Sequence, residues 1–374
     1  MPWEVRGVVE QRLEFCRLAE AGGVSLAELC RRFGIKRDTG YKWLGRFRAE
    51  GEAGLVDRSR TPRSSPNRTA PGVEELVCRV RRRFPAWGGR KIRGFLLRQG
   101  HTTVPAASTI TAILRRRGLI NEPAKSRAYE RFEREAPNDL WQMDFKGWFA
   151  LNDTQRVHSF GMLDDHSRYN LCLAACSNQR TATVKDLLSV SFGTYGLPEA
   201  MLMDNGSPWG NNKGQPWTPL TVWLVDLGIW VIHSTPWHPQ TAGKEERFHR
   251  TLDLEVISTR AGWETFDEVQ DAYDSWRLIY NHHRPHDSLG ETVVPADRYR
   301  PSARSMPTRI TEPEYDTGTD IRKVAPNGRF SWNGHSLYAG KAFAGRHIAI
   351  RPTTTDSQYQ ILYRHHPIRN ITLD

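Results

Sequence analysis

Three acidic positions stand in contexts that suit metal-assisted phosphoryl transfer: Asp144, Asp204, and one of the neighbours Glu245 and Glu246. Two hard cations in near-octahedral geometry take oxygen ligands, so this chemistry needs carboxylates delivered from distant points of a chain. Asp144 lies within Trp141-Gln142-Met143-Asp144-Phe145-Lys146-Gly147, which reads as a strand. A lone charge amid such a strand is costly unless compensated. Asp204 ends the short apolar run Met201-Leu202-Met203 and opens Asn205-Gly206-Ser207. Open sheets commonly place ligands at the C-terminal ends of their strands. Glu246 falls one turn into a helix that begins at His238-Pro239-Gln240-Thr241-Ala242-Gly243-Lys244-Glu245-Glu246-Arg247-Phe248. Adjacent helical residues point about 100° apart, so only one of the two glutamates can comfortably face an ion. Taken singly, each carboxylate has a plainer reading, and a strand-end Asp is more often a turn cap.

The elements that must position these groups are legible from periodicity. Leu140 to Leu151, Arg156 to Leu163 and Tyr169 to Ala175 read as successive strands. Val184 to Tyr195 is a helix, Ala200 to Met203 a strand, Leu220 to Leu227 a helix and Trp230 to His233 a strand, with a long helix starting near Thr241. A meander followed by alternation with helices implies a mixed sheet covered by helices.

The front of the chain is different. Ser25-Leu26-Ala27-Glu28 fits a capping box and opens an apolar-periodic run, Leu26, Leu29 and Phe33, which stops at Gly34. A second helix runs from Arg37 to Arg48, and two short helices about a Gly-containing turn form the helix-turn-helix pattern. Its start would offer Lys36, Arg37, Asp38, Thr39 and Lys42 to a major groove and adjacent phosphates. The plainer alternative is a helical hairpin that packs on something else. Asp57 to Pro66 is rich in Pro, Ser and Arg, an extended basic linker whose Arg58, Arg60 and Arg63 could follow phosphates. A second helical unit runs from about Val73 to Leu119, with Arg90 and Lys91 at the start of one of its helices. Arg115, Arg116 and Arg117 precede Gly118, where they could be helix-dipole partners only.

Charge follows this division. Residues 1–139 hold 29 Lys and Arg against 16 Asp and Glu, whereas residues 140–374 hold 24 against 26. The net +11 therefore belongs to the front, where it points to a polyanion partner. No run of eighteen apolar residues suggests a membrane span, and Met1-Pro2-Trp3-Glu4 lacks the order of a secretory signal. The five cysteines, Cys16, Cys30, Cys78, Cys172 and Cys176, are expected as reduced thiols. Cys172 and Cys176 alternate along a strand and read as packing.

In combination these segments resemble the DDE-class bacterial insertion-sequence transposases, whose RNase H-like core is shared with retroviral integrases. Trp141–Gly147, Met203–Ser207 and His238–Arg250 carry the likeness, and Tyr280-Asn281-His282-His283-Arg284-Pro285-His286-Asp287-Ser288-Leu289-Gly290 adds a fourth segment. The resemblance is strong over residues 139–300 and looser outside them. It implies a metal and catalytic set of Asp144, Asp204 and Glu246, since the family places its ligand immediately before Arg-Phe. It further implies two Mg²⁺ ions, with Mn²⁺ able to substitute, and double-stranded DNA at transposon ends and target as partner. Two ends must be joined, so a homo-oligomer, dimer or larger, on DNA is expected. A cytoplasmic, nucleoid-associated bacterial protein with no membrane contact follows. Lys244 and Arg247 are candidates for phosphate contacts, Gly243 for close backbone approach, and His238 for capping or packing. Asp164 and Asp165 are expected in a turn or a buried ion pair.

Two departures stand out. Asp204 and Glu246 are 42 residues apart, longer than the family's commonest spacing, with the excess assigned to an inserted loop at Trp209–Trp217. The first histidine is His101, so the N-terminal zinc domain of retroviral integrases is absent.

The expected architecture is multidomain: all-α helix-turn-helix units, a central α/β RNase H-like core with a mixed sheet, and a small C-terminal β-barrel. The division is 1–56 helix-turn-helix, 57–71 basic linker, 72–121 second helix-turn-helix, 122–138 linker, 139–300 catalytic core, 301–320 connector and 321–374 barrel. The barrel rests on alternation around the hairpin signal Asn333-Gly334. DNA or subunit binding and plain packing on the core are equally open for it. The implied reaction frees a 3′-hydroxyl at each transposon end and uses it to attack target DNA in line. The rivals are a non-catalytic DNA-binding regulator derived from a transposase and an RNase H-like nuclease that cuts without joining. No Gly-rich phosphate loop is present, so any ATPase partner would be a separate chain.

Overall fold

The computed structural model describes residues 7–58, 68–120, 133–210, 216–234 and 243–373. The chain divides into two compact units, Met1–Arg68 and Thr69–Asp374.

In the first unit, α1 (Val8–Glu20), α2 (Leu26–Arg32) and α3 (Arg37–Glu50) close on Phe15, Cys16, Leu29, Cys30, Trp43, Leu44 and Leu55. The Ser25 hydroxyl accepts from the Glu28 N–H at 3.3 Å, as the capping pattern requires. The reciprocal arm is not made: the Glu28 carboxylate turns to Arg31 at 2.7 Å and Arg32 at 3.4 Å. Gly34 takes the turn at φ +64. Gly40 is where α3 crosses its neighbours, since a Cβ there would lie 2.5 Å from the Cys30 sulfur.

The second unit begins with α4 (Pro71–Arg83), α5 (Gly89–Arg98) and α6 (Ala107–Arg116), packed around Val77, Trp87, Ile92, Leu96, Ile110 and Leu114. The arginines at the end of α6 do more than face the helix dipole. Arg116 and Arg117 reach the buried Glu74 of α4 at 2.6 and 3.3 Å.

Strands β1 (Trp141–Ala150), β2 (Arg156–Asp164) and β3 (Asn170–Cys176) form the antiparallel meander. Helix α7 (Thr181–Tyr195), β4 (Ala200–Met203), α8 (Pro219–Asp226), β5 (Trp230–His233), α9 (Gly243–Glu255) and α10 (Phe266–His282) follow. The sheet order is β3-β2-β1-β4-β5, with β4 parallel to both β1 and β5. Alternation sends Phe160 and Met162 to the face covered by α7 and α8, and Leu163 and Leu173 to the face covered by α9 and α10. With both faces covered, β1 sits at the centre, and a carboxylate on it is half-buried whatever its role.

The tail holds β6 (Asp320–Lys323), β7 (Arg329–Trp332), β8 (His335–Tyr338), β9 (His347–Pro352), β10 (Gln358–Tyr363) and β11 (His366–Thr372). Asn333 and Gly334 make the expected hairpin turn, both at positive φ. A closed barrel does not form among the described residues. The strands make a four-stranded sheet, β11-β10-β9-β6, and a separate two-stranded hairpin, β7-β8. Alternation specified the strands, but closure needs edge pairing that β6 and β11 do not make with each other. The module packs on the core: Phe330, Trp332, Phe343, Ile350, Ile361 and Tyr363 share one apolar cluster with Trp141, Phe192 and Leu224. Asp226 at the end of α8 is fully buried and binds Arg346 at 2.8 Å and Arg364 at 3.0 Å. The Tyr363 hydroxyl donates to the same carboxylate, and His366 Nε2 meets the Val231 carbonyl at 2.9 Å.

No helix of the described residues is long and apolar enough to cross a membrane. All five cysteines are free and buried, and burial raises the Cys172 thiol to about 12 and Cys176 to about 11.

Candidate active site

The parallel pairing Trp141↔Met201 and Gln142↔Leu202 sets the register of β1 on β4. Two residues further along, the same register brings Asp144 beside Asp204 as β4 ends. The Asp144 carboxylate accepts from the Phe145 N–H at 2.8 Å. Burial and the nearby Asp204 nevertheless raise its pKa to about 6. Asp204 is exposed and held from several sides. Its carboxylate accepts from the Gly206 N–H at 2.8 Å and from the Trp209 indole, and its carbonyl meets His233 Nδ1 at 2.9 Å. Asn205 donates to the Ser234 carbonyl at 2.7 Å, tying the loop after β4 to the loop after β5.

Helix α9 supplies both glutamates. Glu246 is exposed and lines a cleft with Asp144, Phe145, Lys146, His249, Arg250 and Asp253. Glu245 points inward, and neither of its oxygens has a hydrogen-bond partner. Burial and the Asp144 charge push its pKa well up. His249 is neutral, since burial and Lys146 lower its pKa to about 4. It stands 3.7 Å from Glu245 and 3.9 Å from Asp144, too far for hydrogen bonds. Gly161 pairs with Asp144 across β1 and β2. A Cβ on Gly161 would lie 3.1 Å from Phe248 and 3.4 Å from His249, so its bareness seats α9 against the sheet.

These groups suit a hard cation. Among the described residues, neither Asp144 nor Glu246 is paired with a lysine or arginine, and Lys146 is taken by Asp253 at 3.0 Å. Burial and the Asp204 charge disfavour the Asp144 carboxylate, and a divalent ion would offset both. The carboxylates are not gathered into a closed ligand set among the described residues.

The remaining expected site residues divide. Lys36, Arg37 and Lys42 are exposed at the start of α3, Thr39 is half-buried, and Arg90 and Arg247 are exposed. Arg58 is exposed and pairs with Glu50. Arg60, Arg63 and the segment up to Ala242 that includes His238 lie outside the described residues, as does 211–215 of the inserted loop. Lys91 and Lys244 differ from expectation. Lys91, with 17% of its side chain exposed, turns onto Asp287 at 3.1 Å, and Lys244 closes on the buried Asp165. Each is paired with a carboxylate of the protein. Gly243 has nothing within reach of a Cβ, so no close approach depends on it.

Asp164 and Asp165 form both a turn and an ion pair. Asp164 accepts from the N–H groups of Ser167 and Asn138, each at 2.7 Å. Asp165 accepts from Gln142 and from the Arg134 N–H, and pairs with Lys244. Sequence reasoning missed Trp209, Gly161 and His249. The one available signal was a tryptophan five residues after Asp204, in a stretch read as inserted loop.

Residues 134–239 and 227–293 match two models described as integrase core domain. Residues 11–63 match a helix-turn-helix domain, 39–114 a homeodomain-like domain, and 319–374 the IS481 family transposase C-terminal domain. The insertion element IS476 uncharacterized 39.2 kDa protein of Xanthomonas euvesicatoria is 29% identical over 161 residues, covering 43% of this chain and 44% of the relative. The transposase for transposon Tn552 of Staphylococcus aureus is 21% identical over 269 residues, covering 65% of this chain and 55% of the relative. The chain thus spans about half the length of these curated relatives. Among solved structures, a chain of the simian T-cell lymphotropic virus intasome in complex with PP2A regulatory subunit B56 gamma aligns at 15% identity and TM-score 0.37. That alignment covers 79% of this chain and 99% of the other. The HTLV-2 integrase catalytic core domain in complex with magnesium aligns at 14% identity and TM-score 0.32, covering 44% of this chain and 99% of the other. Helix-turn-helix matches ahead of two integrase core matches, with an IS481 family transposase C-terminal match behind them, support a DDE-class transposase with an integrase-type core.

Proposed function

We propose that this chain binds the ends of its mobile element, frees a 3′-hydroxyl at each, and joins those hydroxyls to target DNA by metal-dependent phosphoryl transfer. Asp144, Asp204 and Glu246 are the residues proposed to hold two Mg²⁺ ions, with Mn²⁺ able to replace them. The observation that carries the reading is Asp144 of β1 set beside Asp204 as β4 ends, with Asp144 and Glu246 lining one cleft and, among the described residues, no lysine or arginine paired with either. When bound, the ions would activate the attacking oxygen and stabilise the leaving one.

The chain's own residues do the rest. The Gly206 N–H and the Trp209 indole fix the orientation of the Asp204 carboxylate. His249, held neutral by burial, keeps its side of the cleft free of a competing positive charge. Arg247 and Arg250, exposed on α9, are proposed to take phosphates of the flanking backbone. Neither a serine nor a tyrosine nucleophile is needed, because the hydroxyl that attacks belongs to DNA. The start of α3 is the proposed DNA-reading surface of the first unit, through Lys36, Arg37, Thr39 and Lys42, with Arg58, Arg60 and Arg63 along the linker and Arg90 on α5. The proposed working form is a dimer or larger on paired ends.

The test is to incubate the purified chain with its element ends, a plasmid target and Mg²⁺, and to sequence the products. End-to-target junctions are expected. Nicked ends without junctions would favour a nuclease, and end binding without cutting would favour a regulator.

A further inference from the structure

Helix α5 carries four cations, Arg90, Lys91, Arg93 and Arg98, as a DNA-contacting helix might be expected to do. Three of them face protein. Lys91 meets Asp287 at 3.1 Å, Arg93 meets Glu291, and Arg98 grips Asp297 with two bonds of 2.6 and 2.8 Å. Gly94 lies flat on the same segment, where a Cβ would fall 1.9 Å from the Glu291 carbonyl oxygen. No side chain could be tolerated there without parting the two elements.

The segment that receives α5 continues from α10, and it is tied to the helix that bears Glu246. Arg284 pairs with Glu255 at the end of α9 at 2.9 Å, with both side chains buried. Phe248 of α9 packs on the rings of Trp276 and Tyr280, at 5.6 and 5.4 Å between centroids. An unbroken series of close contacts therefore runs from α5 through residues 284–297 to α9. In the same helical unit, α6 leaves Ser108, Thr109, Ala112 and Arg115 exposed. Arg116 and Arg117 are held by Glu74, and Arg115 is not.

We propose that α5 is a joint that holds the second helix-turn-helix unit in fixed register to the cleft, so that DNA bound on the α6 face is cut at one defined phosphate. Lys91, Arg93, Gly94 and Arg98 are positioning residues: they touch no DNA and act by fixing where the cleft meets it. This rests on the transposase reading, and it adds what sets the position of cleavage.

The experiment maps the cut sites on labelled element-end DNA at single-nucleotide resolution in Mg²⁺. The chains compared are wild type, Lys91→Ala/Arg98→Ala, Lys91→Asp, and Lys91→Asp with Asp287→Lys. End affinity and a thermal melt are recorded for each, to separate loss of register from loss of fold. Wild type is expected to cut at one position. The double alanine variant is expected to bind ends within about threefold of wild type and to spread its cuts over neighbouring phosphates. The charge-swapped pair is expected to restore the single site. Single-position cutting by a folded double alanine variant overturns the joint alone. So does lowered yield without spreading that the charge swap fails to rescue. A wild type that binds ends but cuts nowhere overturns the transposase reading, and the role of the joint with it.

Discussion

Asp144, within β1, stands beside Asp204 as the parallel β4 ends, and burial together with the Asp204 charge raises the pKa of Asp144 to about 6. Two carboxylates placed so closely cost stability when no cation is present. A cation held at the proposed site would offset that cost.

Removing the repulsion should stabilise the metal-free chain. Because the folded-state pKa of Asp144 is raised, folding favours its protonated form. The stability from that preference is present below the unfolded pKa, near 4, and is lost as pH rises through about 6. Asp144→Asn should therefore raise Tm at pH 8 by on the order of 2 °C after allowance for solvent screening. The gain should vanish below about pH 4. Thermal melts in a chelator at both pH values check this, and an equal gain at both would contradict it.

Metal affinity should follow the same carboxylate. An ion must displace the proton from Asp144, so Mn²⁺ affinity should fall about tenfold per pH unit below pH 6 and level off above pH 7. Calorimetric titration from pH 5 to 8 reads it directly. A flat profile would detach Asp144 from the ion.

Trp209 fixes the Asp204 carboxylate through its indole N–H while packing against Phe145 at 5.7 Å between ring centroids. Trp209→Phe keeps the ring and removes the donor. It should lower Mn²⁺ affinity by about tenfold and leave the fold intact, as loss of a hydrogen bond to a metal ligand generally does.

These residues mark where sequence stops being informative. The strands and helices of the core were legible to within a few residues, because two-residue and helical periodicities are local and both faces of the sheet are buried. Asp144, Asp204 and Glu246 each sit in a distinctive short segment, and the structure sets Asp144 beside Asp204 and in a cleft with Glu246. Partners were not legible. Lys91 lies 196 residues from Asp287, and Lys244 lies 79 from Asp165. No local pattern distinguishes a lysine spent on a carboxylate from one offered to a phosphate. The same limit hid Gly161, whose bareness matters only because α9 crosses it, and the open edges of the tail sheet.

The tail should behave as part of the second unit. Asp226 is buried among Arg346, Arg364 and Tyr363. Arg364→Ala leaves that carboxylate short of a partner and should destabilise the unit by about 2 kcal/mol, with Tyr363→Phe costing about 1. Denaturant unfolding should show the core and tail melting in one transition. Two separate transitions would show an independent module.

The assignment of Glu246 over its neighbour is tested most directly by counting bound ions. Mn²⁺ is titrated against the chain on end DNA, followed by electron paramagnetic resonance, in wild type, Asp144→Asn, Asp204→Asn, Glu246→Gln and Glu245→Gln. Two ions are expected in wild type and fewer in the first three variants. Glu245→Gln should match wild type, because burial and the Asp144 charge favour the protonated form of that carboxyl. Full occupancy in Glu246→Gln, with loss in Glu245→Gln, would contradict the account.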